Sequence, residues 1–179
     1  MLWVRPIYGG TGSEHPREVH VKIGDVVEDF VLPDEQGIPR SLNGLLRQGA
    51  VVLFFYPGVF RFGCTREVCH VRDVSREFAE VGAVPVGVSS DLVPRQAAFA
   101  QAYALRFPLL SDPTGEVRAR FGVRRTFGPW PTKRVTFVID RERRIIEVVR
   151  SEIRVNAHAD RALQALRQSS TRRFTWFGS

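Results

Sequence analysis

The sequence has 179 residues, of which 44% are apolar and 25% are charged, which predicts one globular domain and excludes disordered, collagen-like and low-complexity chains. The formal charge of +7 comes from the part after position 89, where 17 Lys or Arg residues outnumber 8 acidic ones. These arginines are scattered and no base-stacking aromatic motif accompanies them, so we expect no nucleic-acid partner.

Residues 1–20 are rich in glycine, proline and polar side chains, and we expect them to form a partly flexible N-terminal extension. The extension has neither the apolar core nor the small-residue cleavage site of a secretory signal. The sequence also contains no apolar run near the roughly 18 residues that a membrane-spanning helix needs. We therefore expect a cytoplasmic protein with no membrane partner.

A short hairpin and a buried strand are the first predicted elements. The segments Asp29–Pro33 and Pro39–Leu42 flank a turn at residues 34–37, which is typical of a hairpin. The β-branched and aromatic run Val51–Tyr56 predicts a strand that is buried on both faces, and Pro57 ends it.

A helix is predicted from Cys64 to Val81, because apolar residues recur there at spacings of three and four, and Gly82 ends it. The remaining elements follow in chain order: strand Val84–Val88, helix Pro94–Leu105, strand Phe107–Leu110, helix Thr114–Phe121, hairpin strands Val135–Ile139 and Ile145–Val149, and helix Ala157–Gln168. This order predicts an α/β sandwich with a central mixed sheet and an N-terminal β-hairpin. We assign the domain to residues 21–168 and expect a loose, basic tail at 169–179.

Two loops rich in glycine and proline, at residues 57–63 and 127–132, lie next to central strands. Because loops at the ends of buried strands meet at one edge of a sheet, we expect the functional site there. Cys64 follows the first loop and lies at the first turn of the predicted helix. Free backbone N–H groups, the helix dipole and the nearby Arg61 and Arg66 all favour a thiolate at this position, which predicts a reactive cysteine rather than an apolar core residue.

Cys69 lies five positions after Cys64, so the two side chains are ~140° apart around a helix and their Cα atoms are ~8 Å apart. A disulfide needs Cα atoms within roughly 7 Å. A bond between Cys64 and Cys69 therefore requires the first helical turns to unwind. The spacing predicts a switch between a folded reduced form and a locally unfolded oxidised form.

The segment from Tyr56-Pro57 through Cys64-Thr65-Arg66-Glu67-Val68-Cys69 to Arg72-Asp73 resembles the active-site signature of peroxiredoxins. The resemblance is closest to the peroxiredoxin Q, or bacterioferritin-comigratory-protein, subgroup. Three further segments share it: Pro108-Leu109-Leu110-Ser111-Asp112, Phe121-Gly122-Val123 and Arg134–Asp140. The resemblance covers about residues 21–168 and implies a thioredoxin-like α/β/α sandwich.

The resemblance also implies roles for individual residues. Cys64 matches the peroxidatic cysteine, Cys69 the resolving cysteine, and Arg134 the arginine that holds the thiolate and the peroxide. Pro57 matches the proline that shields the pocket, and Glu67 matches a carboxylate of the first helical turn.

Arg61 and Phe62 depart from the family pattern, which has Thr or Ser followed by Pro at these positions. The missing hydroxyl normally hydrogen-bonds the thiolate and the peroxide. Either Arg61 replaces that role with its own donors, or peroxidase activity is reduced.

The implied activity is thiol-dependent reduction of hydrogen peroxide or organic hydroperoxides without metal or organic cofactor. It proceeds through a sulfenic acid and an intramolecular disulfide, which thioredoxin or another dithiol reduces. The subgroup implies a monomer or a homodimer.

Two other functions remain as alternatives. Cys64, Cys69 and His70 are three potential metal ligands within seven residues, although zinc sites favour closer cysteine pairs and His20 or His158 would have to complete the set. A non-catalytic interaction module, in which Arg61 marks lost chemistry, is the second alternative.

Overall fold

A mixed five-stranded sheet forms the centre of the computed structural model. The structure describes residues 21–125, 130–151, 154 and 156–175, and it describes their side chains as far as Ser169. The described residues contain the strands β1 (Val31–Pro33), β2 (Pro39–Ser41), β3 (Ala50–Phe55), β4 (Ala83–Ser89), β5 (Leu109–Ser111), β6 (Val135–Ile139) and β7 (Ile145–Arg150). They also contain the helices α1 (Leu42–Leu46), α2 (Phe62–Asp73), α3 (Ser75–Glu80), α4 (Val93–Ala102), α5 (Glu116–Arg120) and α6 (Ala157–Thr175). The predicted extension, residues 1–20, lies outside the described residues.

Strand order in the central sheet is β5-β4-β3-β6-β7. The strands β3, β4 and β5 are parallel, β6 runs antiparallel to β3, and β7 runs antiparallel to β6. The predicted mixed sheet and both predicted hairpins are confirmed, with β1 pairing antiparallel to β2 and β6 to β7. In the part of the chain that the structure describes, no helix is long and apolar enough to cross a membrane.

Every residue of the β3 run is apolar because helices cover the sheet on both faces. Alternate residues of a strand point to opposite faces. Val51, Leu53 and Phe55 pack in one core cluster with α1 and α5, whereas Val52 and Phe54 pack in the other with α2, α3, α4 and α6. The strand is therefore buried on both faces, as predicted.

The prediction of a single helix from Cys64 to Val81 is wrong at two places. The helix begins at Phe62, and it is interrupted at Val74, whose ψ of 11° separates α2 from α3. Val71 and Phe78 are buried on either side of the interruption. The apolar spacing therefore continues across it, which is why the sequence pattern does not reveal the break.

Further helix boundaries differ from the prediction: α4 ends at Ala102 instead of Leu105, and α5 spans Glu116–Arg120 instead of Thr114–Phe121. Leu42, predicted as the end of a strand, begins α1, where the Ser41 hydroxyl accepts a hydrogen bond from the Gly44 N–H. The last helix continues to Thr175 instead of ending at Gln168, and so enters the segment predicted as a loose tail.

Candidate active site

Cys64 lies at the start of α2, the helix that follows the carboxyl end of β3 along the chain. It is the third residue of α2 and its side chain is 1% exposed. Pro57, Gly58 and Val59, in the connection from β3, are also buried. The Gly58 backbone N–H acts on the Cys64 sulfur and lowers its pKa. The predicted cysteine is therefore at the helix start, buried among core side chains.

Arg134 reaches Cys64 because of the strand pairing, although the two are far apart in sequence. The strand β6 runs antiparallel to β3 with Val135 opposite Phe55, so the residue before β6 lies at the carboxyl end of β3. Its Nη2 donates a hydrogen bond to the Cys64 Sγ at 3.3 Å. The Arg134 residue is 5% exposed.

Glu67 is the buried counter-ion of Arg134. It lies three residues after Cys64, on the same face of α2, because residues at that spacing are neighbours on a helix. Its Oε2 accepts a hydrogen bond from the Arg134 Nη1, and Glu67 is 1% exposed. The guanidinium thus bridges the carboxylate and the sulfur, with one nitrogen directed to each.

Burial raises the pKa of the Cys64 thiol above its usual value. The charge of Arg134 and the Gly58 N–H act in the opposite direction, and the Glu67 carboxylate adds to the increase. In this closed state desolvation therefore outweighs Arg134 and the Gly58 N–H, so the net shift is opposite to the lowered pKa that a reactive cysteine at a helix start would have. Burial also lowers the pKa of Arg134, but Glu67 and Cys64 outweigh it and the net shift is upward, so the guanidinium stays charged.

Cys69 lies on the outer side of α2, away from Cys64. It is half-buried and lines a surface cavity of about 450 Å³ together with Phe60, Phe62, Arg66 and other side chains. Both cysteines are free thiols and α2 is intact between them.

Arg61 does not replace the family hydroxyl at the sulfur. Its backbone carbonyl accepts a hydrogen bond from the Thr65 N–H, but its side chain makes no capping bond at the start of α2. The guanidinium lies over the Trp130 ring, 3.7 Å from the ring centroid. This stack connects the loops at residues 57–63 and 127–132, which were expected to meet, although residues 126–129 lie outside the described residues.

Sequence analysis did not identify the residues that fix the loop before Cys64. The Asp91 Oδ2 accepts hydrogen bonds from the Val59 N–H and from the Ser89 hydroxyl, each at 2.9 Å. Phe60 has a φ of 57° and packs on Phe99 at a centroid distance of 5.2 Å. A bulky residue in the left-handed region is strained and is held by its surroundings. No local sequence motif predicts these tertiary contacts.

Possible metal ligands do not converge in this arrangement. Cys64 faces the interior, Cys69 faces the surface cavity, and the His70 Nε2 lies 2.9 Å from the Asp160 carboxylate. Among residues 21–125, 130–151, 154 and 156–175, no group of three His, Cys, Asp or Glu side chains could hold a metal ion.

Comparisons with known proteins match most of the chain. The model of the AhpC/TSA family matches residues 23–148, which include Cys64, Cys69 and Arg134. A putative peroxiredoxin of Mycobacterium tuberculosis is 53% identical over 149 residues, which cover 82% of this chain and 97% of that protein. A chloroplastic peroxiredoxin Q of Sedum lineare is 36% identical over 144 residues, which cover 80% of this chain and 76% of that protein. The crystal structure of peroxidoxin BcpB from Mycobacterium tuberculosis gives a TM-score of 0.80 at 53% identity, covering 83% of this chain and 98% of that one.

Proposed function

The chain belongs to the AhpC/TSA family and is a thiol-dependent peroxidase of the peroxiredoxin Q type, and from this premise we propose that Cys64 is its peroxidatic cysteine. The thioredoxin-like fold that the sequence resemblance implied is confirmed by the structural similarity. The alternative of a non-catalytic interaction module is not favoured by this relationship.

The hydrogen bond from the Arg134 Nη2 to the Cys64 Sγ at 3.3 Å is the observation that carries the proposal. A buried guanidinium beside a buried sulfur stabilises the thiolate, which is the nucleophilic form of cysteine. The same cation is placed to stabilise negative charge on the departing peroxide oxygen. Arg134 thus supports both the formation of the nucleophile and the transition state.

The first chemical step is attack of the Cys64 thiolate on one peroxide oxygen. A sulfur–oxygen bond forms, the oxygen–oxygen bond breaks, and the departing oxygen takes a proton to leave as water or an alcohol. The product is a Cys64 sulfenic acid. Buried Pro57 and Val59 exclude bulk water from this position, which strengthens the interactions of the sulfur with its donors.

Resolution requires the start of α2 to unwind, because Cys69 faces the opposite side of the intact helix. The Cys69 sulfur then attacks the sulfenic sulfur, a disulfide forms and water leaves. A dithiol such as thioredoxin reduces the disulfide by two exchange steps and is itself oxidised. The absence of a side-chain cap at Arg61 supports this step, because an uncapped helix end unwinds at lower cost.

Two broader expectations accompany the mechanism. A cytoplasmic location suits a protein whose two cysteines must be returned to the free thiol in each cycle. A monomer is sufficient for a disulfide within one chain, and a homodimer is equally compatible with it.

Replacing Cys69 with serine tests the disulfide step. We expect Cys69→Ser to consume about one equivalent of peroxide at the parent's initial rate, because Cys64 and Arg134 are untouched. Turnover supported by thioredoxin and its reductase should fall to roughly a tenth of the parent's or less, since no disulfide forms. The parent with dithiothreitol in place of thioredoxin serves as the control for reductant identity. Full turnover by the Cys69→Ser protein would show that Cys69 has no resolving role.

Replacing Arg61 with threonine tests the departure from the family pattern. Threonine at the N-cap restores a hydroxyl near the sulfur and caps α2, and one added hydrogen bond corresponds to a gain of up to about tenfold in the rate of Cys64 oxidation. Loss of the stack on Trp130 costs roughly 0.5–1 kcal/mol of stability, which the cap offsets. The matched control is Arg61→Val, which has the same shape without the hydroxyl. Equal rates for the threonine and valine variants would exclude this role.

A further inference from the structure

Asp91, in the connection between β4 and α4, faces the loop that precedes Cys64. Its side chain is 10% exposed. One carboxylate oxygen, Oδ2, accepts hydrogen bonds from the Val59 N–H and from the Ser89 hydroxyl, each at 2.9 Å. The other oxygen, Oδ1, lies 3.5 Å from the Nε of the exposed Arg95. The inner oxygen of Asp91 therefore joins the end of β4 to the backbone of the loop.

A chain of buried hydrogen bonds fixes the orientation of the Asp91 carboxylate. The Ser89 Oγ accepts from the Asp91 N–H at 3.1 Å and from the Gln96 Nε2 at 3.0 Å. The Gln96 side chain also donates to the Leu110 carbonyl at 3.0 Å and accepts from the Tyr56 hydroxyl at 2.6 Å. Ser89, Gln96 and Tyr56 are fully buried. Because three strands and α4 contribute to this satisfied network, it holds Asp91 rigidly.

Gly58 connects Asp91 to the cysteine site. Its N–H acts on the Cys64 sulfur and lowers the pKa of the thiol, and the next N–H along the chain, that of Val59, is the one that Asp91 holds. A Cβ at Gly58 would lie 3.3 Å from the Asp91 Oδ2 and 3.0 Å from the Arg61 Nε, so the backbone approaches Asp91 closely here. Glycine has wide conformational freedom, so its orientation depends on such outside contacts.

We propose that Asp91 is a positioning residue of the peroxidase site, which holds the Val59 N–H and thereby keeps the Gly58 N–H directed at the Cys64 sulfur. The inference rests on the proposed role of Cys64. Asp91 acts on the sulfur through the loop backbone. A backbone N–H that is held in place before the reaction stabilises the attacking anion without the cost of reorientation.

The negative charge of Asp91 acts in the opposite direction from this positioning effect. A nearby carboxylate disfavours a thiolate, so loss of the charge alone lowers the pKa of Cys64 or leaves it unchanged. Opening of the loop to water also lowers that pKa, since burial is what raises it. Loss of the directed Gly58 N–H raises it. The cations beside Asp91 and Gly58, Arg95 and Arg61, are unchanged in the comparison, so the sign of the shift separates the effects.

The test compares Asp91→Leu with Asp91→Asn. Leucine fills the same space but accepts no hydrogen bond, whereas the asparagine amide oxygen can take the place of Oδ2 and keep the bonds from Val59 and Ser89. The titration of Cys64 is followed by the ultraviolet absorbance of its thiolate in a Cys69→Ser background. We expect Asp91→Leu to raise the pKa of Cys64 by about one unit, which gives about a tenfold smaller thiolate fraction at neutral pH. Asp91→Asn should titrate at or below the parent's value.

Two further variants complete the experiment. The matched control is Arg95→Gln, which removes the exposed partner of Asp91 and should leave the titration unchanged, because surface ion pairs contribute little. Ser89→Ala removes the hydroxyl that orients the carboxylate and should raise the pKa of Cys64 by about half a unit, or about threefold in the thiolate fraction. This variant decides the question if Asp91→Leu does not fold.

An unchanged or lowered pKa of Cys64 in folded Asp91→Leu overturns the proposal. An equal rise in Asp91→Asn overturns it as well, since the asparagine keeps the acceptor. If Asp91→Leu does not fold, an unchanged titration in Ser89→Ala has the same consequence. Where Cys64 still consumes about one equivalent of peroxide in these variants, the proposed function stands and only the role of Asp91 fails.

Discussion

Replacing Arg134 with methionine is expected to lower kcat/KM for peroxide by about 10²–10³-fold, the usual cost of removing a preorganised charge from a transition state. Methionine keeps the length and apolar stem of the side chain but has no donor for the Cys64 sulfur. Burial already raises the pKa of Cys64 and Arg134 opposes that increase, so the variant's thiol should have a still higher pKa. The rate rises with pH as the thiol ionises, and the midpoint of that rise should move upward in Arg134→Met.

The matched control for this variant is Arg66→Met, which removes an equal charge from an exposed position of the same helix. Surface charges contribute little, so its kcat/KM should stay within about twofold of the parent's. Loss of Arg134 also leaves Glu67 buried without this partner, and a lower melting temperature is expected. Activity measured well below that melting temperature separates the two effects. Equal losses in both variants would contradict a specific role for Arg134.

The cysteine site could be predicted in part because its key residues lie in local patterns. Cys64 follows a buried strand and begins a helix, and both features are visible in the order of residues. Arg134 is an ordinary basic residue in the sequence and was identified through the family resemblance alone. The structure supplies the reason for its position, which is the antiparallel register that places Val135 opposite Phe55.

The direction of the pKa shift of Cys64 could not be predicted from the sequence. Helix position and nearby arginines are local features, and both favour the thiolate. Burial depends on tertiary packing, and in the closed state it outweighs the charge of Arg134 and the Gly58 N–H. The surroundings of His158 could not be predicted for the same reason, since a single histidine on an amphipathic helix gives no sign that its ring contacts Thr136 and the Ser151 carbonyl.

The fold was predicted best where one strong pattern determines an element. The run in β3 allows only a strand buried on both faces, and that prediction is confirmed. The interruption at Val74 was missed because the spacing of apolar residues continues unchanged across it. The helix α1 was missed because five residues are too few to show a helical period. The end of α6 was placed too early because Leu166, the last buried residue among the side chains described, marks the end of the apolar face there and not of the helix.

Cys64→Ser is expected to have the largest effect of any single substitution. Serine fits the same buried space, so the fold should be retained, but its hydroxyl does not ionise near neutral pH and is a weak nucleophile. Removal of the nucleophile should reduce peroxide consumption by at least roughly a thousandfold, to the level of the solution without protein. Cys69, which is half-exposed and lacks the Arg134 donor, should not substitute for it.

The most direct test of the account is therefore the initial rate of peroxide consumption by Cys64→Ser, measured beside Cys69→Ser under the same conditions without added reductant. Both variants retain one cysteine, so they differ only in which sulfur is present. The account predicts a rapid consumption of about one equivalent by Cys69→Ser and the background rate for Cys64→Ser. A Cys64→Ser protein that consumed peroxide as fast as the parent would contradict it.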